Sequence, residues 1–384
     1  MCPFVAAARV YPLGIITRMP IRLRPLRALL VALALILLAA CSATPFQPGQ
    51  QRMIVREQSR WMPVEWATLP AWQSDRVREA WPALLRSCER PSPDWAAFCN
   101  EARRTDPRTD AEVRAWLEQR LRPYRVESLS GDSTGVATGY FEPLIEARAR
   151  PDATCRYPLH ARPADLVTRR PYWTRREIET LPAARASLAG REIAWTCDRL
   201  DALLLQVQGS GRVRVLDAAG RGRTTRVAYD GDNGQPYRSI GRWLIDQGEL
   251  PPGQASWPAI REWARRHPDR LDELLWANPR YVFFRMEELP DPGVGPRGAQ
   301  GVPLTPGRSI AVDPKSIPYG TPTWLDTTDP STNQRLRRLV FAQDTGSAIT
   351  GAVRVDYFWG SDDRAATQAG RMRQPLHVWV LWPR

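Results

Sequence analysis

Phe341-Ala342-Gln343-Asp344-Thr345-Gly346-Ser347-Ala348-Ile349 runs, after Thr350, into Gly351-Ala352-Val353-Arg354-Val355-Asp356-Tyr357-Phe358-Trp359-Gly360, with Asp362 and Asp363 just beyond. Two apolar runs, Leu336–Gln343 and Ala352–Phe358, are short and rich in β-branched and aromatic residues, and turn residues bound them, so both read as strands. Each carries a carboxylate: Asp344 closes the first and Asp356 sits within the second. Working outward, Tyr281–Phe284, Ser309–Val312 and Leu376–Leu381 also read as strands, as do Val136–Glu142, Leu203–Gln208 and Arg212–Leu216 further upstream. Helical patterns separate them. Thr109-Asp110-Ala111-Glu112 is a capping box ahead of Val113, Trp116, Leu117 and Leu121 on one face. Ser239 caps a second helix through Ile240, Trp243 and Leu244, ending at Gly248, and the pattern continues through Ile260, Trp263 and Leu271–Trp276. Trp116, Trp243 and Trp263, at helical spacing, read as core. Strands scattered before and after helices imply a strand-rich α+β architecture with an antiparallel barrel.

The N-terminus carries its own message. Arg18, Arg22, Arg24 and Arg27 precede an apolar run, Ala28–Ala40, with no acidic residue before Cys41. That run is shorter than the roughly 20 residues a spanning helix needs, so it reads as a secretory signal over residues 1–40. Leu38-Ala39-Ala40-Cys41 resembles the bacterial lipobox, which makes Cys41 the lipidated residue of the mature chain. Ser42 in place of Asp implies sorting to the outer membrane, at its periplasmic face in a Gram-negative bacterium. Met19 opens a more ordinary signal than Met1. Residues 41–70 are expected to be the lipidated cysteine and a linker, with Pro45 and Pro48 and little periodicity.

Charge and cysteines narrow the classes. The chain is net +13, and removing the leader's five arginines leaves +8; Lys315 is the only lysine. An exported basic protein can meet anionic lipid or the carboxylate-bearing cell wall, and export argues against nucleic acid. Cys88, Cys99, Cys155 and Cys197 form an even set in a disulfide-permissive compartment. Three pairings are open, and proximity favours 88–99 with 155–197. With no C-x-x-C and with His160, His267 and His377 scattered, no metal site and no cofactor is expected.

Two short motifs offer rival chemistries. Gly131-Asp132-Ser133-Thr134-Gly135 fits the G-x-S-x-G elbow of serine hydrolases, but a strand follows where that elbow needs a helix. Asp344-Thr345-Gly346-Ser347 matches the aspartic protease signature, yet the pairing that mechanism needs requires two copies and the chain has one.

Taken together, the C-terminal stretch resembles the three-aspartate domain of the membrane-bound lytic murein transglycosylase A family. The resemblance extends through Thr138-Gly139-Tyr140-Phe141-Glu142-Pro143, Leu205–Arg212, Tyr229–Glu249, Asn278–Arg285 and Gly301–Thr305, in order over roughly residues 135–384. It departs from the family pattern at Ser347, where a second glycine is usual, and at Thr350, where a lysine is usual. The resemblance implies a double-psi β-barrel assembled from residues 71–144, a helical part and first strands, and residues 289–384. A β-rich second domain at 145–288 would be inserted between them, with a glycan groove between the two. It implies cleavage of peptidoglycan with intramolecular formation of 1,6-anhydromuramic ends. Asp356 would be the single general acid/base and Asp344 its partner, the third aspartate being Asp362 or Asp363. Tyr140, Glu142, Gln208, Ser210 and Tyr237 are then candidates for sugar contacts, aromatics for stacking and the others for hydrogen bonds. The implied partners are peptidoglycan glycan strands, a membrane through the lipid anchor, and proteins of wall synthesis or division. A non-catalytic expansin-like wall-binding module is the rival from another class.

Overall fold

The computed structural model describes residues 52–217 and 219–384. Four strands come first: β1 (Ile54–Val55), β2 (Arg60–Pro63), β3 (Leu121–Glu127) and β4 (Gly135–Tyr140). Six follow in a second sheet: β5 (Leu144–Arg148), β6 (Tyr157–His160), β7 (Glu192–Thr196), β8 (Ser210–Leu216), β9 (Gly222–Asp232) and β10 (Val282–Glu287). The chain then returns to the first sheet with β11 (Ser309–Val312), β12 (Pro322–Thr328), β13 (Arg335–Asp344), β14 (Arg354–Phe358) and β15 (Arg373–Pro383). Ten α-helices lie between among the described residues: α1 (Trp81–Ser87), α2 (Ala96–Ala102), α3 (Asp110–Arg120), α4 (Arg175–Thr180), α5 (Pro182–Leu188), α6 (Arg199–Gln208), α7 (Ile240–Asp246), α8 (Trp257–Arg266), α9 (Leu271–Trp276) and α10 (Asp363–Arg371).

The first sheet closes on itself. Its order is β1-β2-β3-β15-β12-β13-β11-β14-β4, and β15 also pairs with β4, so six strands form a ring. Closure depends on the length of β15: residues 373–376 pair with β4, 377–380 with β12 and 379–383 with β3. Two pairings, β11 with β13 and β14 with β4, are parallel. Inside the ring Ile310, Val312, Leu325, Val340, Val355 and Val378 fill the core. On its outer face α1–α3 pack Trp81, Leu84, Val113 and Leu117 against Trp324, Leu339 and Phe341. Arg308, buried, pairs with Asp75 at 2.6 Å, and Asp75 also accepts from the Leu339 amide, which ties this helical layer to the barrel.

The second sheet, ordered β10-β9-β8-β5-β7-β6, packs α6 against its inner face through Ala202 and Leu205. The hydrophobic set of α7–α9 (Ile240, Leu244, Ile260, Trp263 and Leu274) makes a separate core against Leu200 and Leu203 of α6. Phe141 and Leu204 meet Ala365 and Ala369 of α10, where the two sheets adjoin.

Several expectations change. Leu203–Gln208, read as a strand, is the body of α6. Asp198 caps that helix by accepting from the Leu200 amide, and Gly209 ends it at a φ of 79°. A short apolar run carries no period of its own, so the flanking caps decide. Residues 54–63, placed in the linker, form β1 and β2, and Trp61 is fully buried in the barrel core. Pro63, which closes β2 and has no N–H to give the ladder, and the shortness of both strands hid that segment. β12, a ring strand, was not anticipated. Thr109 does cap α3, but Glu112 reaches back to the Arg108 amide rather than to that of Thr109; the full capping box is Thr174–Glu177 at α4. Both disulfides favoured by proximity are present, Cys88–Cys99 and Cys155–Cys197. Cys41 and the signal segment lie outside the described residues.

Candidate active site

β11 is the ruler of the site. Its Ala311 is in register with Asp344 of β13 on one side and with Asp356 of β14 on the other. The two aspartates therefore stand level, two strand spacings apart, with roughly 10 Å between their backbones. β4 lies beyond β14 with Thr138 opposite Asp356 and Tyr140 opposite Phe358. Residues two apart on a strand share a face, and both side chains reach a carboxylate. The Thr138 hydroxyl donates to Asp356 Oδ1 at 2.6 Å, and the Tyr140 hydroxyl donates to Asp344 Oδ2 at 2.9 Å. Gly139, between them, has no room for a side chain: a Cβ would sit 2.7 Å from the Trp359 indole nitrogen and 2.9 Å from Ala369 Cα.

The two carboxylates have different surroundings. Asp344 also accepts from the Ala299 amide at 2.9 Å and from its neighbour's backbone at Thr345. Burial pushes its pKa up while these donors and Tyr140 pull it down, leaving it at about 6. Asp356 has one donor, Thr138. Burial pushes it up, and neither that bond nor the Arg354 charge cancels the effect. Arg354 donates to Thr138 Oγ1 at 2.9 Å. Arginine has only donors, so it occupies a lone pair of the hydroxyl, and the single threonine proton is directed to Asp356. Both aspartates keep part of their surface open while the carboxylates lie deep among protein atoms. The two environments differ in their donors: Asp344 has three and titrates at about 6, whereas Asp356 has one among the described residues and burial raises its pKa.

Asp344 lies on the wall of a groove of about 560 Å³ between the barrel and the inserted sheet. Tyr140, Gln208, Ser210 and Tyr237 line the same groove. Asp356 is not on that lining. It lies one strand over from Ala311, against Thr138, close enough to Tyr237 for its charge to be felt there. Gln208 Oε1 accepts from the Phe141 amide, which fixes the end of α6 against β4. Arg90 and Arg297 bring positive charge to the groove's rim, whereas Arg280 pairs with Asp232 and Arg285 with Asp230 and Glu287; Tyr229 also lines the groove, 44% exposed.

Glu142 corrects the sequence reading. It is fully buried, and its two oxygens pair with Arg226 at 2.5 Å and Arg212 at 2.9 Å. Those arginines also donate to the carbonyls of Val294 and Pro292. Glu142 fastens the inserted sheet to the returning chain and has no surface to offer a sugar. Neither Asp362 nor Asp363 lines the groove: Asp362 caps α10 through the Ala365 amide, and Asp363 is in its first turn. Gly131–Gly135 is a loop running into β4, without the helix a nucleophile elbow requires.

Sequence reasoning missed Thr138, Arg354, Tyr229 and the groove arginines. Thr138 and Arg354 stand within the quoted motifs, but nothing local to them assigns a role. Arg90 comes from the loop after α1 and carries no local signal at all.

The comparisons with known proteins agree with this geometry. The MltA specific insert domain model matches residues 136–285, and the 3D domain model matches residues 308–382. The Escherichia coli K12 protein named membrane-bound lytic murein transglycosylase A is 30% identical over 386 residues, covering 93% of this chain and 96% of that one. The chain belongs to the membrane-bound lytic murein transglycosylase A family. It is accordingly a lytic murein transglycosylase. Among solved structures it is similar to the lytic transglycosylase LtgG of Burkholderia pseudomallei, with 44% identity, a TM-score of 0.57, and 87% of this chain and 97% of that chain covered. It is also similar to the E. coli MltA structure with bound chitohexaose, with 26% identity, a TM-score of 0.66, and 89% and 99% covered. The strand-rich α+β fold, with a three-aspartate barrel and an inserted domain, is that of the family. Membership in an enzyme family sets aside the expansin-like and protease readings.

Proposed function

We propose that the enzyme cleaves the β-1,4 bond between N-acetylmuramic acid and N-acetylglucosamine, with Asp356 as its single general acid and base. The observation that carries the reading is the environment of Asp356: a buried carboxyl with one hydroxyl donor and a raised pKa. The proton passes from Asp356 to the glycosidic oxygen as the C1–O bond breaks. Positive charge then develops on the sugar, as in other glycosidic cleavages. The muramyl C6 hydroxyl attacks C1, its proton returns to Asp356, and a 1,6-anhydro ring closes. No water is consumed. Asp344, held toward its charged form by three donors, faces the developing positive charge and orients Tyr140.

The glycan lies in the groove, where Tyr140 and Tyr237 offer aromatic faces and Gln208 and Ser210 offer hydrogen bonds. The chitohexaose bound by the E. coli relative is a chain of the same sugar class as a glycan strand, which supports a glycan as the ligand. The arginine rim suits a wall polymer whose peptides carry carboxylates.

Cleavage in ¹⁸O-water tests the reaction. Unlabelled anhydro ends are expected, whereas labelled, hydrated muramic ends identify a hydrolase in which Asp344 activates water. Anchoring through a diacylated Cys41 at the periplasmic face of the outer membrane completes the proposal. Cys41→Ala is expected to release the protein from membranes, and retention in high salt, where charge attraction is screened, overturns the anchor.

A further inference from the structure

A second cavity, of about 590 Å³, lies wholly within the inserted domain, bounded by β6, α4, α5, α6 and α9. Its size is that of a ligand pocket, and the cleavage reaction uses none of it. It shares one residue with the groove, Gln206, which accepts a hydrogen bond from the buried Arg175.

Most of its charges are neutralised. Arg199 pairs with both Glu179 and Asp272, and the Trp276 indole donates to Glu179 at 2.9 Å. Arg175 donates to the carbonyls of Asn278 and Arg280. Arg185 donates to the Glu179 carbonyl. Three charges remain without an ion-pair partner among the described residues: Arg185, which has only that carbonyl, Arg156, which only stacks over Tyr157, and Glu192. Arg156 and Glu192 stand at opposite ends of β6. Glu192 is in register with His160, and Arg156 precedes the strand. Four residues of strand separate them, roughly 13 Å at about 3.3 Å per residue. Ile178, Leu188 and Leu275 supply apolar wall between. His160 Nδ1 meets the Tyr281 hydroxyl at 2.8 Å, leaving Nε2 with no partner among the described residues. The Cys155–Cys197 disulfide staples the rim, joining the residue before Arg156 to the segment that caps α6.

A cation and an anion held that far apart on a rigid strand fit the two ends of a peptide of three or four residues, since extended chain spans about 3.3–3.6 Å per residue. We propose that this cavity binds a short zwitterionic peptide, its carboxylate at Arg156 and its ammonium toward Glu192 and His160. Resting on the function proposed above, the peptide is a free stem peptide of the wall, since a stem still attached to muramic acid has its amino end in an amide and carries no terminal ammonium.

The test titrates L-alanyl-γ-D-glutamyl-L-lysyl-D-alanine into the full chain in detergent by calorimetry. Saturable one-to-one binding is expected, at least tenfold weaker for the N-acetylated, C-amidated peptide. The Arg156→Ala/Glu192→Gln variant, with an unchanged melting temperature, is expected to lose at least tenfold in affinity yet to cleave peptide-free glycan chains as wild type does. Absence of saturable binding, or undiminished binding by the folded variant, overturns the site. The two sources of peptide separate by N-acetylation alone, which reproduces the amide of an attached stem: weaker binding of the acetylated peptide is expected, and equal binding makes the attached stem the ligand and overturns the proposal. Cleavage of peptide-free chains to anhydro ends reports the catalytic proposal independently of every binding result.

Discussion

Asp356 and Glu142 are two buried carboxylates at neighbouring ends of the same strand system, and the chain treats them in opposite ways. Glu142 receives two guanidiniums that satisfy both oxygens. Asp356 receives one hydroxyl, with the nearest guanidinium held one atom back on the far side of that hydroxyl. A buried carboxylate paired this fully is a fastener. One denied a direct cation suits the acid and base role proposed for Asp356, whose pKa burial raises. The placement of arginine distinguishes the two environments.

The comparison breaks first at Asp356. Asp356→Asn is expected to keep the melting temperature and to lower turnover by at least ~10²–10⁴-fold, the range that general acid–base catalysis contributes. A folded variant retaining a tenth of wild-type turnover, measured by release of anhydro fragments, removes Asp356 from the acid/base role. Glu142→Gln should fail in the other sense. Removing one partner of a buried ion pair leaves the arginines uncompensated, at a cost of about 3–5 kcal/mol. Denaturant unfolding is expected to register that loss, with the surviving folded fraction cleaving at near wild-type specific activity. A stable but inactive Glu142→Gln enzyme erases the contrast.

Asp344 sharpens it further with a smaller, pH-dependent effect. Its folded carboxyl titrates at about 6, above the unfolded value of 3.8. The native state thus binds the extra proton between those values, and stability falls as pH rises through the window. Asp344→Asn has no charge to bury. Its melting temperature is expected to exceed wild type by a few degrees at pH 7 and to match it at pH 3.5, below both values. An equal gain at both pH values traces the effect to packing instead.

Much of this was legible before any coordinates. Strand, turn and cap chemistry are local, so β11 could be read to the residue at Ser309–Val312, and β13 and β14 to within two. The Ser239 cap is observed as well. The errors share a cause. Leu203–Gln208 is an apolar run too short to show a period, and its identity as α6 rests on Asp198 and Gly209 at its ends. β2 joins the sheet through β3, about 60 residues away, and β1 is an edge strand that pairs only with β2. Glu142 looked like a sugar contact because it adjoins Tyr140 and Phe141. Its burial follows from Arg212 and Arg226, about 70 and 84 residues on, which no local pattern announces.

The amino-acid sequence by itself determined the element types along most of the barrel, the disulfide pairs that proximity favours, and the pair of aspartates in their motif. Those follow from side-chain chemistry acting over a few residues. The tertiary structure alone decided that Asp344 and Asp356 stand level across Ala311, that Thr138 and Tyr140 divide between them, and that Arg354 stops short of the carboxylate it would otherwise neutralise. A pKa depends on every charge and donor within a few ångströms, and in a closed barrel those neighbours come from strands more than 200 residues apart in the chain.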